Sequence, residues 1–328
     1  MRITILFGGS NKERLVSVAT AQALHQALPE ADLWFWDIQD KVHVVQSRQL
    51  LEHARPFEDE FEPGTRGVPL EQALDQARDE DRVLVLGLHG GRAENGELQV
   101  MCESRGVPFT GSGSASSHLA FDKIAAKRFA ALGGVTPPVG IALEHIEEAF
   151  ADHGRLIAKP ARDGSSYGLI FVNSKQDIVA VRNAAKSEEY LIEPFIAGVE
   201  ATCGVLEQSD GKVFSLPPIE IIPAEGSFDY TAKYLLKSTQ EICPGRFSSA
   251  VTAELMDLAL RAHRALSCSG YSRTDFIVSE QGPIYLETNT LPGLTKASLY
   301  PKALKAQGID FVDFLKDQIV LAQERTPK

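Results

Sequence analysis

The chain has 328 residues, 44% hydrophobic and 23% charged, with 33 basic against 44 acidic side chains and a formal net charge of −11. That length suits two or three compact domains rather than one core, and the acidic balance excludes a general nucleic-acid binder, whose phosphate contacts need a basic surface. No apolar run approaches the ~20 residues needed to span a bilayer, "MRITILFGGS" lacks the pattern of a secretory signal, and four scattered cysteines without a C-x-x-C pair predict free thiols in the cytoplasm.

In the first segment, residues 1–100, "RITILFG" reads as a buried strand and "LVSVATAQALHQAL" as a helix with apolar residues three and four apart. "ADLWFWDI" and "RVLVLGLHG" read as further strands, so the rhythm predicts a parallel sheet with crossover helices. "ARPFEDEFEPGTRGVP", acidic and broken by Pro and Gly, reads as a solvated loop. The second segment, residues 101–187, holds a helix around Cys102, a "GSGSASS" stretch and the helical "HLAFDKIAAKRFAALGG", stopped by Gly133 and Gly134. Two β-like runs follow, "RLIAKP" and "GLIFV", separated by "ARDGSSY". The third segment, residues 188–328, begins with "EYLIEPFI" and "VEATCGVLE", passes a 22-residue polar loop at 224–245, and continues through the helix "AELMDLALRAHRALS". Two strands joined by "SEQG" and two final helices complete it.

Two constellations could carry chemistry. In "KPARDGSSYG", Lys159 ends one strand, and a Gly/Ser turn exposes backbone N–H groups able to wrap phosphate oxygens. An ordinary polar hairpin turn explains the same residues. The second lies in "SRTDFIVSEQGPIYLETNTLPG". Strand residues two apart share a face, so Arg273 with Asp275, and Glu287 with Asn289, converge if the two strands pair. Asp275, Glu287 and Asn289 offer the hard oxygens that Mg²⁺ takes. Arg273 cannot bind a metal, but it suits a carboxylate or a developing negative charge. A closed salt-bridge cluster, Arg273 on Asp275, is the competing reading.

These residues, with "GGSNKERLVS", "HGGRAENGELQ", "PFTGSG", "FDKIAAK", "EPFIAGVE" and "DYTAKY" in the same order, resemble the D-alanine–D-alanine ligases of the ATP-grasp superfamily along essentially the whole chain. The resemblance implies an α/β architecture, an ATP-grasp fold behind a Rossmann-like N-terminal domain. It implies ligation of two D-alanines, through an acyl phosphate made with ATP, for peptidoglycan precursors. It also implies ATP and Mg²⁺ (two ions, with Mn²⁺ able to substitute), small amino-acid substrates, no nucleic-acid or membrane partner, and a homodimer.

Carried over position by position, Lys123, Lys159, Ser165 and Ser166 would hold ATP phosphates. Glu193 would face the adenine, with the hinge at Phe195 and Ile196, and Glu200 the ribose. Lys233 would reach the transferred phosphoryl group. Asp275, Glu287 and Asn289 would hold the metal. Glu13 would face the first substrate's ammonium, beside His89. Ser165, Tyr234 and Glu13 would form a hydrogen-bonded triad linking the nucleotide lid to the substrate loop. Arg273 and the N–H of Gly293 would stabilise the acyl phosphate and the tetrahedral oxyanion, and Ser298 and Leu299 would hold the second substrate's carboxylate. A long loop over such a site makes sense as a lid, because water destroys an acyl phosphate.

The chain departs from the family pattern at Ala93 and Asn95, where H-G-x-x-G-E-D-G is usual, and at Leu15, Val100 and Ala297. A required φ > 0 at position 93 would disfavour alanine and re-shape that loop. Most departures surround the first-substrate pocket, so two alternatives stay open: ligation of another small amino-acid pair, and a silent ATP or amino-acid sensor. "GGSNKE" is not the G-x-G-x-x-G of a dinucleotide oxidoreductase.

Overall fold

The computed structural model describes residues 2–164, 167–223 and 239–326. In the first sheet β1 (Arg2–Gly8) lies parallel to β2 (Asp32–Trp36) and β5 (Arg82–Leu88), as the strand–helix rhythm predicts. Helix α1 (Arg14–Ala27) makes the β1-to-β2 crossover, and both faces of β1 are covered. A strand buried on both faces has no polar side to alternate with, which accounts for the unbroken "ITILF". Two antiparallel strands, β3 (Lys41–Val45) and β4 (Val68–Pro69), extend the edge, giving the order β4-β3-β2-β1-β5. Short helices α2 (Ser47–Leu51), α3 (Leu70–Asp79), α4 (Gly91–Glu94) and α5 (Glu97–Glu103) fill the connections.

The acidic "ARPFEDEF" stretch is not simply solvated. Phe61 is buried, its ring 5.1 Å from Phe35 and 5.7 Å from Phe7. Three aromatic rings in edge and tilted contact outweigh the hydration of the neighbouring acidic groups.

After α6 (Ser114–Phe121) and α7 (Lys123–Leu132), a small antiparallel sheet forms from β6 (Leu156–Pro160), β7 (Ile170–Val172) and β8 (Tyr190–Pro194), ordered β7-β6-β8. Helices α8 (Ile146–His153) and α9 (Lys175–Ala184) pack on it. The "RLIAKP" and "GLIFV" runs do pair, Leu156 opposite Val172. Tyr190–Pro194, placed beyond residue 187 by the sequence division, hydrogen-bonds to β6.

The third sheet is antiparallel: β12 (Gln240–Ile242), β11 (Ile219–Ile222), β9 (Val199–Glu207), β13 (Tyr271–Ser279) and β14 (Gly282–Asn289), with β10 (Val213–Ser215) on β9. Helix α10 (Ser249–Ala265) covers its inner face, and α11 (Leu299–Ala306) and α12 (Phe311–Arg325) end the described chain. The β13–β14 hairpin has a bulge. Asp275 faces Glu287, but Phe276 faces Tyr285, leaving Leu286 without a partner. The bulge resets the phase, so Tyr285 is buried while Leu286 and Glu287 both line the opposite face.

The first and third sheets share one apolar cluster, in which Ile5, Phe7 and Val83 pack with Tyr271, Tyr300, Phe314 and Ile319. Arg325, near the end of α12, donates to the carbonyls of Phe109 (3.3 Å) and Gly111 (2.8 Å) and to the Ser269 hydroxyl. No described helix is long and apolar enough to cross a membrane.

Candidate active site

A cleft of about 810 Å³ runs between the sheets, within the range of small-molecule sites. Arg273, Asp275, Glu287 and Asn289 all line it. They alternate with buried Thr274, Phe276 and Thr288, which face the core. Arg273 grips Asp275 through two hydrogen bonds of 2.9 Å. Thr202 donates to the same carboxylate at 2.6 Å and Asn289 at 3.2 Å. The ion-pair reading therefore holds, with Asp275 held by Arg273, Thr202 and Asn289. Asp275 and Glu287 are direct ladder partners, so their Cβ atoms are about 4.5–5.5 Å apart, close enough to share one ion. Among the described residues no three His, Cys, Asp or Glu side chains cluster to hold a metal. The donor set here is two carboxylates and an amide, which fits a hard cation that keeps waters and phosphate oxygens as its other ligands.

Lys123 opens α7 beneath this group. Asp122 caps the helix, accepting from the amides of Ile124 (3.1 Å) and Ala125 (3.0 Å), and Arg162 holds Asp122 at 2.8 Å. The cap fixes the direction of Lys123, whose ammonium reaches the Asp163 carbonyl and lies 3.4 Å from Glu287. Lys159, next to last in β6, sits 3.3 Å from Glu193. Glu193 is buried, and its other oxygen meets Lys127 at 2.6 Å. Burial, and next the charge of Lys159, pull the Lys127 ammonium down to about 8, against the opposing pull of Glu193. Phe195, Ile196 and Glu200 line the same end of the cleft. The Phe195 amide donates to Arg155 O at 3.0 Å, and the Arg155 guanidinium lies 4.1 Å over the Phe195 ring.

At the other end, Glu13 is buried where the β1–α1 loop meets two glycines. A Cβ on Gly90 would fall 1.8 Å from Glu13 Oε2, and one on Gly164 3.2 Å from it. Gly164 belongs to the Gly/Ser loop, and the Lys12 ammonium lies 5.2 Å from the Tyr167 ring of that loop. Asn11 fixes the geometry, accepting from the Glu13 amide and donating to His89 O, both at 2.7 Å. His89 bonds Thr20 Oγ1 at 2.8 Å, and burial, then the Arg273 charge, lower it to about 4. It is neutral at pH 7. Gly293, Ser298 and Leu299 complete this wall. The Ser298 hydroxyl accepts from Thr295 N at 3.1 Å, and a Cβ on Gly293 would come within 2.8 Å of it. Ser165, Ser166, Lys233 and Tyr234 lie outside the described residues.

The strain foreseen at position 93 does not arise. Ala93 is a buried residue of α4, and the positive φ values fall on Gly90, Gly91 and Gly96. Asn95 accepts from the Glu97 amide at 3.0 Å, supporting the next helix as its side chain allows. Glu94 and Phe57 of the cleft, and the buried Lys127, escaped the sequence reading. Glu94 accepts from the Gly90 amide at 3.1 Å, and burial, then Glu13, raise it to about 7. Lys127 was discoverable, since residues four apart on a helix share a face with Lys123. Phe57 lines the cleft from the acidic excursion, with no sequence signal.

Comparison with known proteins agrees with this architecture. The family described as D-ala D-ala ligase N-terminus matches residues 2–112, and that described as D-ala D-ala ligase C-terminus matches 144–320. A D-alanine–D-alanine ligase of Nitrosomonas europaea is 37% identical, covering 98% of this chain and 97% of that protein. The VanG D-Ala:D-Ser ligase from Enterococcus faecalis superposes with a TM-score of 0.78 at 28% identity, covering 98% and 99% of the two chains. A D-alanine–D-alanine ligase from Bacillus anthracis complexed with ATP gives 0.71 at 27% identity, covering 99% and 97%. The fold is ATP-grasp with a parallel-sheet N-terminal lobe, and the chain belongs to the D-alanine–D-alanine ligase family.

Proposed function

We propose that this protein joins two D-alanines with the hydrolytic energy of ATP, supplying D-alanyl-D-alanine for peptidoglycan precursors in the cytoplasm, as a homodimer. The observation that carries the reading is the single cleft in which Arg273, Asp275, Glu287 and Asn289 stand between two lysines on one side and Glu13 with Ser298 on the other. Lys123 and Lys159 are point charges for phosphate oxygens, joined by Ser165, Ser166 and Lys233. Glu193, the hinge at Phe195 and Ile196, and Glu200 receive the nucleoside. Asp275, Glu287 and Asn289 would hold Mg²⁺, which when bound would neutralise charge on the transferring phosphoryl group.

Glu13 takes the ammonium of the first D-alanine, and neutral His89 beside it adds no repelling charge. Arg273 steadies the acyl phosphate and then the oxyanion formed when the second amine attacks, helped by the amide of Gly293. Ser298 and Leu299, at the start of α11, hold the second carboxylate. Phosphate leaves the tetrahedral carbon and the amide bond remains. Glu13, against Gly164 of the Gly/Ser loop, is where the first substrate and the nucleotide cover meet; Ser165 and Tyr234 complete that link. Three lobes divide the labour, the second ending after β8.

Phosphate release from ATP should require D-alanine, and the product mass should equal two alanines less one water. Absence of turnover with D-alanine alone overturns the reading. Turnover only when D-serine or another amino acid is added selects a mixed-substrate ligase, the activity printed for the VanG relative. Nucleotide binding without turnover on any pair selects a sensor.

A further inference from the structure

One buried cation has no part in the proposed chemistry. Lys127 follows Lys123 by one turn of α7. Its ammonium is 2.6 Å from Glu193 Oε1 and 3.4 Å from the carbonyl of Tyr285. Both charged side chains are almost inaccessible, 7% and 1% exposed. Glu193 sits on β8 of the middle sheet and Tyr285 on β14 of the third sheet. A lysine buried this deeply is costly unless its partners are fixed. Here the partners belong to the two sheets that enclose the cleft, so the ammonium spans the joint between them.

The two oxygens of Glu193 are divided between two cations. Lys127 takes Oε1, and Lys159 approaches Oε2 at 3.3 Å. Both contacts are ion pairs, and the buried Oε1 has no hydrogen-bond donor, so the carboxylate keeps acceptor capacity for a ligand. Losing Lys127 frees the carboxylate to turn toward Lys159, which misplaces the acceptor and occupies an ammonium needed at the phosphates. Lys123, on the same helix, meets Glu287 and Asp163. One helix therefore sets groups at both ends of the nucleotide.

We propose that Lys127 is a positioning residue for the nucleotide: it clamps Glu193 as the acceptor for the exocyclic amine of the purine and ties the middle sheet to the third sheet across the cleft. This rests on the reading that the cleft takes ATP with Glu193 at the adenine. The clamp joins Lys127 to Glu193 and the Tyr285 carbonyl, with Lys159 on the second Glu193 oxygen, so the effect of removing it belongs to the nucleotide.

The test uses the full chain with Mg²⁺, comparing wild type with Lys127→Met in steady-state assays with ATP, GTP and D-alanine. The KM for ATP should rise ~10–100-fold, while kcat and the KM for D-alanine stay within ~3-fold. The ratio of kcat/KM for ATP to that for GTP should fall by ~10-fold or more, because the amine-reading acceptor is displaced. A purely structural lysine would not move that ratio. Should Lys127→Met fail to fold, Lys127→Arg, which keeps the charge but shifts it, should show the same two changes more weakly. An unchanged ATP KM and purine ratio, or equal losses in kcat and both KM values, overturns the inference while leaving an active wild type untouched. A wild type that neither binds nor consumes ATP overturns the functional reading itself.

Discussion

Gly90 shows how one hydrogen in place of a side chain makes room for Glu13 at one end of the cleft. Its φ is +64°, and a Cβ there would collide with Glu13 at 1.8 Å. Gly90→Ala should push Glu13 out of place and cut kcat/KM for D-alanine by ~10²-fold, since small misplacements at a reacting site cost that much. Equilibrium binding of ATP, measured alongside, should change less than ~3-fold. Glu13 and His89 were legible because short motifs flag them. Glu94 was not, though it stands beside them in "HGGRAENG". Its importance comes from burial and from the nearby Glu13 carboxylate, and neither shows in a residue string. Phe57 and Phe61 were hidden for the opposite reason, as aromatic rings inside a run whose charge announces solvent.

Helix α7 carries Lys123 and Lys127, and its start depends on Asp122. That carboxylate receives two helix amides and the Arg162 guanidinium, which together hold it below the usual carboxylate range against the cost of burial. Asp122→Ala should cost about 1 kcal/mol through the lost cap, lowering Tm by a few degrees in a melting experiment. The KM for ATP should rise several-fold as Lys123 loses its bearing. Elements with a clean period were readable: β1 as an apolar run, β13 as an alternation. The face of Glu287 was foreseen from Asn289 two residues on, yet Tyr285, two residues before it, lies on the opposite side. A bulge is set by pairing across strands, so nothing local to β14 announces it. The sheet to which β8 belongs was hidden likewise, because strand partners are chosen by contacts beyond any sequence window.

Across the whole molecule, acid should loosen the fold through histidines buried as neutral rings. His89 and His263 are both lowered from 6.5 to about 4, chiefly by burial. Between those values the unfolded chain binds protons that the native chain refuses, so stability rises with pH from about 4 to 6.5 and is lost on descending through that window. Each ring contributes up to roughly 3 kcal/mol. Melting curves from pH 7 to 4 should show a falling Tm, and His263→Gln should flatten that slope relative to wild type. His263 bonds Ser272 at 2.8 Å and does not line the cleft, so the variant reads the stability of the fold. The parallel first sheet was legible from the alternation of strand and helix. The core it shares with the third sheet, Phe7 with Phe314, joins residues some three hundred positions apart, a pairing that only the folded chain reveals. The Arg325 anchor has a temporal meaning as well. During synthesis the first sheet can close once residue 88 has emerged, but the Arg325 clasp on the carbonyls of Phe109 and Gly111 and the Ser269 hydroxyl waits for α12. The nascent chain thus holds a first sheet that stays unfastened until α12 has emerged and folded.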